Sequence, residues 1–281
     1  MKTPAGLVLL AALLGQPVWP ATEADCSRIL DQALGDKNPD TRKTAVEALS
    51  LVGPRSPLAA RLPAMLQDKD VPVRLAVVSG LGELKSKEAT EGLHRALNDE
   101  VPEVSFAAAK ALWSLHDPAG EQALQSILQG EEKTSSSYFT KQKRDALRML
   151  HTPRTMFLFT LRTGVGFAPV PGLGEGVSSM QGLLTDPGVS GRATAALLMA
   201  KDNNPATVTA LKSALKDKDW SVRAAAAHAL ALRDDPALKS VLEPLLADSK
   251  EPVRLRAAAG YLRLLSIERA PRKATKNVPK K

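Results

Sequence analysis

The sequence predicts an all-α chain built as a right-handed α-α superhelix, a solenoid of about seven helical hairpins, and three observations carry that prediction. Six segments align without a gap: DKNPDTRKTAVEALS from Asp36, DKDVPVRLAVVSGLG from Asp68, DEVPEVSFAAAKALW from Asp99, DPGVSGRATAALLMA from Asp186, DKDWSVRAAAAHALA from Asp217 and DSKEPVRLRAAAGYL from Asp248. The arginines six residues after each Asp recur at 32 and 31 residues (Arg42, Arg74, then Ser105 in that place) and again at 31 (Arg192, Arg223, Arg254), a length that holds two short helices and two connections. Aromatic residues make up only 4% of the chain and apolar residues 44%, mostly Ala and Leu, a balance suited to thin repeated layers and not to one large core.

Each unit begins with a short amphipathic run, such as SRILDQAL, LAARLPAML, EGLHRAL, EQALQSIL, TALKSAL or KSVLEPLL, read as its first helix. The second helix follows the Asp, often with Pro in its first turn (Pro39, Pro72, Pro102, Pro252), where the missing N–H costs nothing. A bulky apolar residue lies seven past the Arg position: Leu49, Leu81, Leu112, Met199, Leu230 and Tyr261. An Asp in the turn between helices can accept orphan amide hydrogens where the second helix starts, and the helix dipole favours its charge there. An Arg in the first turn can reach that carboxylate or the one in the adjoining unit. The ladder so defined is Asp36, Arg42, Asp68, Arg74, Asp99, Asp186, Arg192, Asp217, Arg223, Asp248 and Arg254. Recurrence in nearly every unit marks it as structural, since a reaction needs one site.

The pattern of Asp, often Pro, then Val-Arg, Ala-Ala and Leu resembles HEAT repeats, in particular the short bacterial subclass of the phycobilisome-lyase type; EPVRLRAAAGYL, SVRAAAAHALA and VPVRLAVVSGLG carry it best. The resemblance implies a ladder of Asp and Arg between stacked hairpins, an inner face of second helices, and a role in gripping other proteins. It covers about residues 26–268, interrupted twice. The Ser-rich stretch EEKTSSSYF lengthens a turn before Lys143, which takes the Arg position of a further unit, and residues 152–174 break the pattern with three Phe, four Gly and three Pro.

Residues 1–24 read as a secretory signal: Lys2, an apolar run from Ala5 to Leu14, and Thr22-Glu23-Ala24 before a cut. The expected organisation is therefore a leader at 1–24, about four repeats at 25–151, the insertion at 152–174, about three repeats at 175–268 and a basic tail at 269–281. Lys2 and six tail cations (Arg269, Arg272, Lys273, Lys276, Lys280, Lys281) account for most of the net charge of +8 and leave residues 3–268 at +1. A body so near neutrality argues against a nucleic-acid partner.

The sequence carries no catalytic or metal-binding motif. The lone Cys26 excludes an internal disulfide and a cysteine zinc site, and its Glu23-Ala24-Asp25 context is unlike a lipoprotein signal. His94, His116, His151 and His228 lie in different units, and none precedes Glu as in the di-iron HEAT-like hydroxylases. Chromophore lyases are a second enzymatic relation by resemblance, from which export would separate this chain. No G-x-S-x-G occurs, and the glycines at 164–176 lack a following Lys-Ser/Thr. No catalytic, metal or cofactor residue is expected.

Function is therefore sought on the surface. Positions one and five after the Arg are expected to face the groove: Leu75, Phe106, Ala193, Ala224 and Leu255, then Ser79, Lys110, Leu197, His228 and Ala259. Leu75 and Phe106 would centre a mildly apolar groove, or else pack between repeats; both readings stand. The second candidate surface is Phe157, Phe159 and Phe167 of the insertion, either a partner-binding element or a decorated repeat. The expectation is an exported, non-enzymatic scaffold for a protein partner in a periplasm or envelope, with weak envelope contact through the basic tail. The alternatives are a HEAT-like lyase or oxidoreductase, and peripheral membrane or cell-wall binding.

Overall fold

The computed structural model describes residues 21–129, 190–202 and 204–270, and every regular element among them is helical. The chain is an α-α solenoid of helical hairpins. In the N-terminal block, α1 (Glu23–Leu34) pairs with α2 (Pro39–Ser50), a 3-10 helix (Pro57–Gln67) with α3 (Val71–Leu84), and α4 (Lys87–Ala96) with α5 (Pro102–Ser114), followed by α6 (Pro118–Leu128). The C-terminal block holds α7 (Gly191–Leu198), the pair α8 (Pro205–Ala214) and α9 (Trp220–Ala231), and a broken first helix (Pro236–Leu238, α10 at Lys239–Leu242, Glu243–Ala247) before α11 (Glu251–Glu268).

Local chemistry explains these boundaries. Thr22 and Asp25 form a reciprocal capping box at the start of α1, whose Cys26, Leu30 and Ala33 then fall on one buried face. The expected leader boundary after Ala24 therefore cuts inside α1. Ser86, Asp117, Asn204 and Asp219 cap later helices with their side chains. Two first helices expected as ordinary amphipathic runs take 3-10 form where proline intervenes, at Pro63 and at Pro244. Proline in a helix interior removes an amide donor and crowds the carbonyl four residues back.

Leu49, Leu81, Leu112 and Leu230 fill the seams between layers at 0% exposure. Met199, at the same position in its repeat, is 40% exposed and is the C-cap of α7, which ends at Leu198. Helix α9 is buried along nearly its whole circumference, as an Ala-rich helix apolar on all sides must be. At Gly120 the start of α6 approaches α5 so closely that a Cβ would stand 2.2 Å from the Trp113 amide nitrogen.

The order of stacking differs from the order of the chain. Second helices α2, α3 and α5 lie side by side, as do α7, α9 and α11. Helix α11, the last described helix, also packs on α1 and α2, the first two described, so the stack of described second helices runs α7, α9, α11, α2, α3, α5. Leu255, Ala258, Ala259, Tyr261 and Leu262 of α11 join the hydrophobic core of the N-terminal block.

Candidate functional site

At three joints between consecutive repeats the ladder has one geometry. Arg42 Nε and Nη2 donate to the two carboxylate oxygens of Asp68 at 2.7 and 2.9 Å, and Nη1 donates to the Asp36 carbonyl at 2.8 Å. Arg74 makes the same fork to Asp99 at 2.8 and 3.1 Å, with Nη1 on the Asp68 carbonyl. Arg223 makes it to Asp248 at 2.7 and 2.8 Å, with Nη1 on the Asp217 carbonyl. Arg192 reaches Asp217, and Arg254 donates to the Asp248 carbonyl at 2.8 Å. Arg42, Arg74 and Arg223 thus each tie the turn of their own unit to the carboxylate of the next, a planar fork meeting a planar acceptor.

The ladder Asp does not itself cap the second helix. Its carboxylate accepts the amide hydrogen two residues on, as Asp68 does from Asp70 and Asp248 from Lys250, and that later residue is the N-cap. Asp36 accepts in the same way from Asn38. The guanidinium hydrogen bonds of Arg42 and Arg223 hold the Asp68 and Asp248 carboxyls below the usual carboxylate range, and the Asp219 amide does so first for Asp217. In the third unit Ser105 stands in place of Arg and donates to the Leu97 carbonyl at 2.8 Å. Asp186 lies outside the described residues.

Where α11 meets the first repeat, a different set of contacts appears. Arg256 is 1% exposed, and its Nη2 donates to Glu47 Oε2 at 3.2 Å while Nη1 is buried without a hydrogen-bond partner. Burial drives both members toward their neutral forms, Glu47 upward and Arg256 downward. Thr41 donates to Glu251 at 2.9 Å, Tyr261 to the Ala21 carbonyl at 2.7 Å, Arg263 to the Leu51 carbonyl at 3.1 Å and Arg269 to Glu23 at 2.6 Å. Gly53, at φ +79°, brings its backbone against Arg263: a Cβ there would lie 3.2 Å from Nη1. Sequence reasoning passed over this group. Its signal was Arg256 itself, two past the ladder Arg, where the other repeats carry Thr44, Ala76, Ala107, Thr194 and Ala225.

The positions expected to face the groove differ between the two blocks. Leu75 and Phe106 are half-buried on α3 and α5, as are Ser79 and Lys110, and the Lys110 ammonium lies 6.0 Å from the Phe106 ring centroid. Burial lowers the Lys110 pKa. The equivalent Ala193, Leu197, Ala224, His228, Leu255 and Ala259 are all buried, which corrects their placement on an open face. Ala193, Ala224 and Ala259 are small enough to let helices close together, and Leu255 and Ala259 face the first repeat. Phe157, Phe159 and Phe167 lie outside the described residues.

The titratable groups are dispersed. His94 Nε2 lies 3.0 Å from Asp117, His228 is buried, and the Cys26 thiol is pushed up to about 12 by burial. Among the described residues no three His, Cys, Asp or Glu side chains gather as metal ligands, and no helix is long and apolar enough to cross a membrane. A half-open cleft of about 270 Å³ runs beside α11, lined by Glu23, Arg55, Ser56, Leu262, Ser266 and Arg269.

A search of curated proteins finds no match. The family model for HEAT repeats matches residues 58–135 and 179–263, more than half of the chain. Its two spans fall one in each block of hairpins joined by the same Arg-to-Asp fork, and the chain belongs to the HEAT-repeat family.

Proposed function

We propose that this helical repeat protein is an exported, non-enzymatic scaffold that holds a protein partner along the second-helix face of its N-terminal block. The observation that carries the reading is the shared register of Leu75 and Phe106 on neighbouring helices α3 and α5, half-buried where the equivalent C-terminal positions are buried. Partly covered apolar side chains at repeated positions suit an extended partner, which gains contact from each repeat it crosses. The apolar run from Ala5 to Leu14 after Lys2 supports export. Because Ala21, Thr22 and Glu23 all contribute to α1 and its contacts with α11, the mature chain in this reading starts at or before Ala21.

The test replaces Leu75 and Phe106 together with Glu. Unchanged far-ultraviolet circular dichroism with loss of a partner cross-linked to the wild-type protein in envelope extract supports the surface. Capture unchanged, or capture lost along with the fold, sinks it. Stoichiometric iron or a bound chromophore in purified protein would replace the scaffold with an enzyme of HEAT-like type.

A further inference from the structure

We infer that the trough between α11 and the turn after α2 binds an acidic, apolar peptide segment of a partner protein, with Arg55 as the group that receives its carboxylate. The trough has two lobes. The cleft of about 270 Å³ bounded by Glu23, Pro57, Leu262 and Arg269 continues into a second of about 200 Å³ bounded by Val52, Asp234, Arg263 and Ile267, and Arg55 and Ser266 line both. No lining residue belongs to α3 or α5, so this site is separate from the surface of Leu75 and Phe106, and the two readings stand or fail independently.

Local structure fixes the position of Arg55. Helix α2 ends at Ser50, the chain turns through Gly53 at φ +79°, and Ser56 closes the turn by accepting the Leu58 amide hydrogen at the start of the next helix. Arg55 is thereby carried, exposed, on a short turn held at both ends.

The charges of the trough leave Arg55 over. Arg263 Nε donates to Asp234 Oδ1 at 2.7 Å and Arg269 Nη1 to Glu23 Oε2 at 2.6 Å, so two of the three guanidinium groups are matched within the trough. The Arg55 guanidinium has no hydrogen bond or ion pair among the described residues. One uncompensated cation bordered by Pro57, Leu262 and Leu265 is complementary to a carboxylate flanked by apolar side chains, which the planar fork of an arginine takes through two parallel hydrogen bonds. Two half-open lobes in line suit an extended segment that seats successive side chains. The residues after Ala270 carry five cations (Arg272, Lys273, Lys276, Lys280, Lys281) and no acid, the wrong charge for that place.

Titration calorimetry of the full-length chain with a peptide of repeated Leu-Glu-Pro triplets tests this. The wild-type protein is expected to bind it. Arg55→Gln, at an exposed turn position, is expected to weaken binding roughly five- to tenfold with thermal unfolding unchanged. The same peptide with Gln in place of Glu is expected to lose as much on the wild-type protein and nothing further on Arg55→Gln, because both changes remove one pair. Arg95→Gln, at an exposed arginine of α4, is expected to leave binding unchanged.

No binding, binding indifferent to Arg55→Gln, or an equal loss in Arg95→Gln overturns the proposal, the last two results assigning the peptide to the general positive charge of the chain. Sedimentation with phosphatidylglycerol vesicles that depends on Arg55, in a protein that does not bind the peptide, overturns it in favour of a lipid headgroup.

Discussion

The ladder joints and the α11 joint solve the same problem, holding one hairpin on the next, by different means. At Arg42, Arg74 and Arg223 a guanidinium bridges the turn of its own repeat and the carboxylate of the next, near the ends of the helices. At the α11 joint the main charged pair, Arg256 and Glu47, lies along the helix faces at 1% and 12% side-chain exposure and leaves a buried donor unsatisfied. The difference teaches that a contact copied from repeat to repeat works where the chain is continuous, because sequence spacing alone presents its two halves. A joint between the first and last described repeats has no such spacing to rely on and needs contacts that select each other.

The sharpest way to break this comparison is to remove one member of the buried pair. Glu47→Ala leaves Arg256 buried and uncompensated and is expected to destabilise the protein by about 3–5 kcal/mol, read from urea unfolding. Glu47→Leu with Arg256→Met, by contrast, is expected to be neutral or stabilising by about 1–4 kcal/mol. If the single substitution costs no more than a ladder cut, the distinction between the joints fails.

That ladder cut comes next in size. Arg223→Met removes the fork to Asp248 and the hydrogen bond to the Asp217 carbonyl, with an expected loss of about 2–3 kcal/mol. Its pH signature separates it from the α11 joint. Asp248 titrates lower folded than its unfolded value of about 3.9, so its contribution is present above that value and is lost as pH falls toward the folded one. Glu47 has the opposite sign: with its folded pKa raised by burial, its contribution is present below the ordinary Glu value and is lost as pH rises through the folded one. Urea midpoints measured from acid to neutral pH should therefore show the acid loss reduced in Arg223→Met relative to wild type.

Two smaller effects sharpen the α11 joint. Gly53→Ala forces a Cβ into a left-handed backbone position against Arg263, with an expected cost of about 1 kcal/mol in thermal or urea unfolding. A chain beginning at Asp25 loses the Thr22 cap and the Ala21 and Glu23 contacts, and should be less stable than one beginning at Ala21 by about 1 kcal/mol or somewhat more. Equal stability of the two would mean that the first turn of α1 contributes nothing to holding α11.

By itself the sequence determined the helical hairpins, their period and the residues of the ladder, because each of these is local or nearly so: Pro39, Pro72, Pro102 and Pro252 start helices, and Arg and Asp one repeat apart are brought together by the spacing of the repeats. It also marked Leu75 and Phe106, whose register follows from the Arg position. What only the tertiary structure decided is which repeats are neighbours. Arg256 belongs to no repeated position of the ladder, yet it is buried against Glu47, and the Ala-rich face of α9 that would line a groove is closed. Local periodicity specifies how a unit meets its successor, whereas the return of the last unit onto the first depends on complementary surfaces more than two hundred residues apart, for which no local pattern exists.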